Sequence, residues 1–186
     1  MNMNWIKRFF MNPGQWWHYK ISLKMIKKTF NSCGTGVTIG HNFVVSGAKN
    51  ICIGNDTAIG PNCVFYATVA PLTIGKKVLI SPNVTIVTGE HRTDVIGVYM
   101  RDLSEKDKLP QNDAPVVIED DVWIGSNVTI MKGVTIGRGS IIHAGTVITR
   151  SVKPYTIYVS DKIKIARFAE EEMQLHESLL KEKQDG

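Results

Sequence analysis

An isoleucine followed by a small residue returns every six positions along most of this chain. The clearest run is Ile118, Ile124, Ile130, Ile136, Ile142 and Ile148. The same step occurs as Ile39 and Val45, as Ile53, Ile59 and Phe65, and as Ile74, Ile80 and Ile86, so twelve of these fourteen positions are isoleucine. Glycine fills the second position of six hexads (Gly40, Gly54, Gly60, Gly75, Gly125, Gly137), which suits a corner needing positive φ. The fifth position is small or slim, as in Thr57, Cys63, Val69, Val84, Val128, Val134, Ser140 and Thr146, with Phe43, Lys49 and Glu90 as exceptions. A helix would space its apolar residues at about 3.6 and would lose roughly 1 kcal/mol at each glycine, so a helix is excluded. An ordinary strand alternates with period two. A short β-like pair and a corner, repeated, fit a parallel β-helix in which the isoleucines stack as an interior column. At three hexads per coil the count predicts between about four and five coils.

The pattern divides the chain into a helical N-terminal segment over 1–35, a β-helix over 36–158 and a tail with a helix over 159–186. In the tail, Phe168, Glu172, Leu175 and Leu179 fall at helical spacing between Arg167 and Lys183, with acids forward and lysines rearward. This helix is expected to cover the last coil or to contact another subunit. Residues 88–115 interrupt the repeat between Ile86 and Ile118, and unpatterned loops of that length are usually functional.

A net charge of +5 raises the question of nucleic acid, and its distribution answers it. Residues 1–30 hold six cations and no acid, leaving 16 cations against 17 acids in the rest, so no basic stripe crosses the main body and no nucleic acid is expected. The same segment carries Trp5, Phe9, Phe10, Trp16 and Trp17. Its apolar stretches fall short of the roughly 20 residues of a membrane span, and no signal-peptide pattern is evident. Two short helices packing aromatics on the domain are expected, with a peripheral membrane contact as the alternative. Cys33, Cys52 and Cys63 form no C-x-x-C pair and are expected to be small buried thiols in a reducing compartment, which places the chain in the cytoplasm.

Two segments carry a family resemblance. Ile80-Ser81-Pro82-Asn83-Val84-Thr85-Ile86 runs into Thr88-Gly89-Glu90-His91, and Val122-Trp123-Ile124-Gly125-Ser126-Asn127-Val128-Thr129-Ile130 lies beyond the insertion. Over roughly residues 36–158 the chain resembles the hexapeptide acyltransferases, and within them the galactoside, maltose, xenobiotic and polysaccharide O-acetyltransferases. The resemblance implies a left-handed parallel β-helix, against the usual crossover hand. It also implies a homotrimer with acetyl-CoA as acyl donor between adjacent subunits and no metal.

Oxygen acylation needs a base for the hydroxyl proton, a place for the thioester and donors for the oxyanion. Imidazole suits the first role near neutrality. Of the five histidines only His91 lies in the insertion, and it occupies the place of the family's catalytic histidine, although Glu90 and Arg92 differ from the commoner neighbours. Asp94 matches a His-x-x-Asp pattern of some relatives and either orients His91, braces the loop or is an ordinary loop carboxylate. The resemblance places Trp123 beside the histidine and cofactor, makes the Ser126 N–H the oxyanion donor, and lets pantetheine approach Ala144 and Gly145. It leaves Arg150, Lys164 and Arg167 as candidate holders of the CoA phosphates, in a segment where the family's Gly-x-Pro-Ala-Lys is not intact. His143 departs from the glycine usual there. Asn55-Asp56-Thr57, Asn83-Val84-Thr85 and Asn127-Val128-Thr129 match the glycosylation tripeptide only because hexads recur.

Two rivals share the fold. A zinc hydratase needs three imidazoles, two closely spaced, and no two histidines here lie within a dozen residues. A non-catalytic scaffold would have no use for a histidine-bearing insertion. The expected activity is acetyl transfer to a sugar hydroxyl of a polysaccharide or lipid-linked precursor, with an antibiotic acceptor as the alternative.

Overall fold

The computed structural model describes residues 24–160, 163–166 and 169–185. Successive short strands visit three faces in turn. The first face holds Ser32–Cys33, Ile51–Ile53, Leu72–Ile74, Val116–Ile118 and Thr135–Ile136. The second holds Thr38–Ile39, Ala58–Ile59, Leu79–Ile80, Trp123–Ile124 and Ile141–Ile142, then Thr156–Ser160 and Ile163–Ala166. The third holds Val44–Ser46, Val64–Tyr66, Thr85–Val87, Thr129–Ile130 and Val147–Ile148. Within each face the pairing is parallel and puts isoleucine opposite isoleucine, as in Ile53 with Ile74 and Ile124 with Ile142. The arrangement is consistent with the expected left-handed parallel β-helix.

Five full coils are present, and a sixth begins where Val152 bridges to Ile136 and Thr156–Ser160 joins the second face. The β-structure therefore starts before residue 36, at Ser32–Cys33, because Cys33 takes an isoleucine slot opposite Ile53. It also runs past 158 into an antiparallel hairpin with Ile163–Ala166. Every repeat position named above is buried except Val45, which is half-buried on the first coil. Each such side chain contributes about 1.5–3 kcal/mol on removal from water. Buried hydroxyls at the fifth position join coils: Thr57 Oγ1 donates to the Gly75 carbonyl at 2.8 Å, and Ser140 Oγ to the Lys153 carbonyl at 2.9 Å. Val69 is exposed, since it falls where the count breaks.

The hexad glycines have a different reason from the one expected. None of the six has positive φ. An added Cβ on Gly54 would lie 2.5 Å from the Gly75 carbonyl carbon, and one on Gly125 would lie 2.6 Å from the Ala144 nitrogen. The second position is small because the next coil's backbone passes against it. The left-handed residue is two places further on, at Asn42, Asp56, Asn62, Lys77, Asn83, Asp121 and Asn127, and at Gly133, Gly139 and Gly145. Asparagine, aspartate and glycine tolerate that conformation best. The asparagines also stack: Asn83 Nδ2 donates to Asn127 Oδ1 at 3.1 Å, and Asn42 Nδ2 to Asn62 Oδ1 at 3.1 Å.

One further expectation needs correction. Only Cys63 is buried, and burial raises its thiol pKa; Cys33 and Cys52 are half-buried because the first coil is open and Cys52 points outward, where Asn31 donates to its sulfur. The C-terminal helix is Glu170–Asp185, and Leu175 and Leu179 are exposed on it. It meets the end of the coils through His176, whose ring lies edge-on to Tyr155 at 6.3 Å. At the other end residues 24–29 are helical and lead into buried Phe30, whereas the N-terminal aromatics and Phe168 lie outside the described residues.

Candidate active site

The insertion leaves the third face after Thr85–Val87 and is zipped at its base. Thr88 is buried, with its hydroxyl on the Ala70 carbonyl at 2.9 Å. The Ala114 N–H donates to the Thr88 carbonyl and the Glu90 N–H to the Asn112 carbonyl, each at 2.9 Å, on either side of an antiparallel bridge between Gly89 and Asp113. A Cβ at Gly89 would meet Asp113 Oδ1 at 1.9 Å, so any other residue there would displace the Asp113 carboxylate from its place beside Lys108. Between the arms the chain forms three 3-10 turns, Met100–Asp102, Glu105–Asp107 and Pro110–Asn112.

His91 emerges just beyond this zipped base, exposed and free of hydrogen bonds to the described residues. It lines a cleft of about 310 Å³ with Tyr66, Thr68, Val87, Glu105 and Lys108. Lys108 is nearly enclosed and forms ion pairs with Glu105 at 3.0 Å and Asp113 at 3.2 Å. Burial works against its charge, but hydrogen bonds to Glu105 and Asp113 outweigh it and hold the ammonium pKa above its ordinary value. Asp94 does not contact His91. Its carboxylate accepts from Arg92 Nε at 2.8 Å, and that hydrogen bond holds its pKa below the usual carboxylate range. Arg92 also donates to the Asp107 carbonyl at 3.0 Å, so Asp94 belongs to a brace inside the loop.

The candidate cofactor residues gather elsewhere. Trp123 lies on the second face, 47% exposed beside exposed Leu79, and its indole N–H donates to Ser81 Oγ at 3.1 Å. Ser126, Ala144 and Gly145 occupy one corner, between the second and third faces, on consecutive coils. The Gly145 N–H donates to the Ser126 carbonyl at 2.8 Å, while the Ser126 N–H meets no acceptor among the described residues. His143 takes the second position of its hexad, and its N–H donates to the Tyr158 carbonyl at 2.8 Å, the bond to the next coil that Gly125 makes to Ile142. Arg150 is exposed at the other edge of the third face, below the strand Val147–Ile148. Lys164 pairs with Tyr158 in the hairpin, its side chain outside the described residues, as is Arg167 altogether.

Within one chain, then, His91 and the Ser126 corner stand at opposite edges of the third face. The sequence reading missed Tyr66, Thr68, Lys108, Asp113 and Lys132 around the insertion. The signal for Lys132 was present in the repeat: Thr85 pairs with Thr129 and Ile86 with Ile130, so the coil register sets Lys132 over Thr88 once the insertion is subtracted. Among the described residues no three histidine, cysteine or acidic side chains cluster as metal ligands, and no helix is long and apolar enough to cross a membrane.

Comparison with known proteins gives concordant matches. The family model for bacterial transferase hexapeptide (six repeats) matches residues 115–150. A hexapeptide-repeat acetyltransferase from Vibrio cholerae, solved in complex with acetyl-CoA, is 34% identical with a TM-score of 0.65, over 79% of this chain and 75% of that one. The galactoside O-acetyltransferase of Escherichia coli is 33% identical over 70% of this chain and 63% of its own length. A Schizosaccharomyces pombe relative is 36% identical over 66% of this chain. The chain spans only 55% of the length of that last protein.

Proposed function

The chain belongs to the hexapeptide-repeat acetyltransferases, for which acetyl-CoA is the acyl donor, and we propose that it moves acetyl to a sugar hydroxyl with His91 as general base. The observation that carries this reading is an exposed imidazole without a partner, on a loop whose base is zipped, lining a cleft. In the proposed step His91 takes the hydroxyl proton while the oxygen attacks the thioester carbonyl. The tetrahedral oxyanion is held by the Ser126 N–H, the carbon–sulfur bond breaks, and the departing thiolate takes the proton back from the imidazolium. Because His91 and Ser126 lie at different edges of one chain, the complete site is formed between copies, as a homotrimer with Trp123 near the seam. A monomer that still turns over acetyl-CoA would refute that assembly.

The proposed acceptor is a saccharide on a phosphate-bearing carrier, as in polysaccharide or lipid-linked precursors. Thr68 lines both the His91 cleft and a neighbouring depression of about 720 Å³, which also holds Lys28 and Lys49. Neither lysine has an acidic partner among the described residues, so both remain open to an anion. The test is thiol release from acetyl-CoA with a sugar nucleotide, a neutral galactoside and an antibiotic alcohol in parallel. The reading expects the sugar nucleotide to be the best acceptor; preference for either neutral compound would sink it. His91→Ala is expected to lower kcat by roughly 10²–10⁴ with acetyl-CoA binding nearly intact. Near-normal turnover in that variant would move the base elsewhere, with His143 next to test.

A further inference from the structure

One lysine holds both arms of the insertion. Lys132 sits at the corner that leaves the third face on the fourth coil, and its ammonium meets the Glu90 carboxylate at 2.6 Å. The same nitrogen donates to the Gln111 carbonyl. Glu90 immediately precedes His91, and Gln111 immediately precedes Asn112, whose carbonyl accepts the Glu90 N–H at 2.9 Å. Entry and exit of the excursion are therefore joined to each other and, through one side chain, to the next coil. The Lys132 side chain is only 19% exposed, so this contact is better shielded than a screened surface pair of little worth. Both of its hydrogen bonds are charge-assisted.

We infer that Lys132 is a positioning residue for acyl transfer: through Glu90 it fixes where His91 stands relative to the coils. The inference rests on His91 being the base. The antiparallel bridge and the Glu90 N–H pair the two arms only with each other, so they set the backbone of the base but not its position over the coils, and a displacement of about 1 Å can cost up to roughly 10²-fold in rate. Glu90 itself is half-exposed and lies outside the isoleucine column, so packing does not hold it. The ion pair adds the tie from this arm to the next coil, one residue from the imidazole.

Lys132→Met, which keeps the aliphatic stem and removes the charge, Lys132→Arg and His91→Ala are compared by thiol release from acetyl-CoA with water as acceptor. Lys132→Met is expected to lower kcat about tenfold while leaving the KM for acetyl-CoA within about twofold, and Lys132→Arg to recover most of the loss. Wild-type kcat in Lys132→Met overturns the inference. So does a loss that arginine does not restore and that comes with raised KM or a lower melting temperature, because that describes general damage. If Lys132→Met does not fold, Glu90→Gln breaks the same pair from its exposed side and must reproduce the fall in kcat; unchanged kcat there is equally fatal. His91→Ala separates the two proposals. Lost turnover in it beside an active Lys132→Met overturns only the positioning role, whereas retained turnover in His91→Ala overturns the base assignment.

Discussion

The stacked coils and the insertion over 88–115 belong to one chain but are held by different physics. In the coils, most isoleucines are buried against an isoleucine of a neighbouring coil, so the same contact is made many times. In the insertion, single polar contacts each do a separate job: Gly89 against Asp113, Lys108 between Glu105 and Asp113, Arg92 on Asp94, Lys132 on Glu90. Redundancy makes the first region a scaffold. The second region has few apolar contacts and exposes Ile96, Tyr99 and Met100, which leaves its shape to a handful of charges and frees it to vary with the acceptor.

The difference can be broken most forcefully at Ile130, which is fully buried between Ile86 and Ile148. Ile130→Asp places an uncompensated carboxylate in the column and is expected to cost several kcal/mol, abolishing soluble folded protein. A variant of normal melting temperature, followed by circular dichroism, would contradict the register. A milder pair sharpens the contrast. Gly54→Ala pushes a Cβ into the backbone of Gly75 and should destabilise the whole protein by about 1–3 kcal/mol with kcat unchanged. Gly97→Ala meets nothing within 4 Å but keeps a φ of 80°, so its strain of about 1 kcal/mol should appear as faster amide exchange in the insertion alone. Equal losses of global melting temperature in the two variants would mean that the regions are not separately held.

The smallest effect is expected from acid. Hydrogen bonds from Arg92 to Asp94, and from the Ser104 hydroxyl and N–H to Asp107, lower both carboxyl pKa values in the folded chain. Their contribution is therefore complete above the unfolded value of about 3.9 and is lost as pH falls through the lower folded values. Both carboxylates are exposed, so only the insertion should loosen, seen as local amide exchange at pH 3 against pH 6 while the coils stay protected. Protection lost first in the coils would reverse the comparison.

What was legible in the sequence follows the same division. A burial pattern repeated every six residues announces itself, and it located the three faces, the isoleucine column and the place of the insertion. The corner chemistry was present but misread: φ > 0 was assigned to the second-position glycines, whereas the fourth position, rich in asparagine, aspartate and glycine, carries it. His91 stood out as the histidine in the break, and the resemblance pointed to Trp123, Ser126, Ala144 and Gly145. Lys108 and Lys132 were not found, since an ion pair leaves no periodic mark and its partners are joined only by the three-dimensional register.

The hairpin that ends the second face has a consequence for growth of the stack. A parallel β-helix offers at its last coil a strand edge with unfilled donors and acceptors, which another copy could continue as readily as the chain itself, giving an open filament. Here Thr156–Ser160 is the last strand to run in the common direction, and Ile163–Ala166 returns antiparallel beside it. A newcomer docking at that edge would meet reversed polarity and an interrupted six-residue phase, with a register shift already introduced between Tyr158 and Ser160. The turn-back thus works as a terminator of the second face, closing it to a further coil of the same phase.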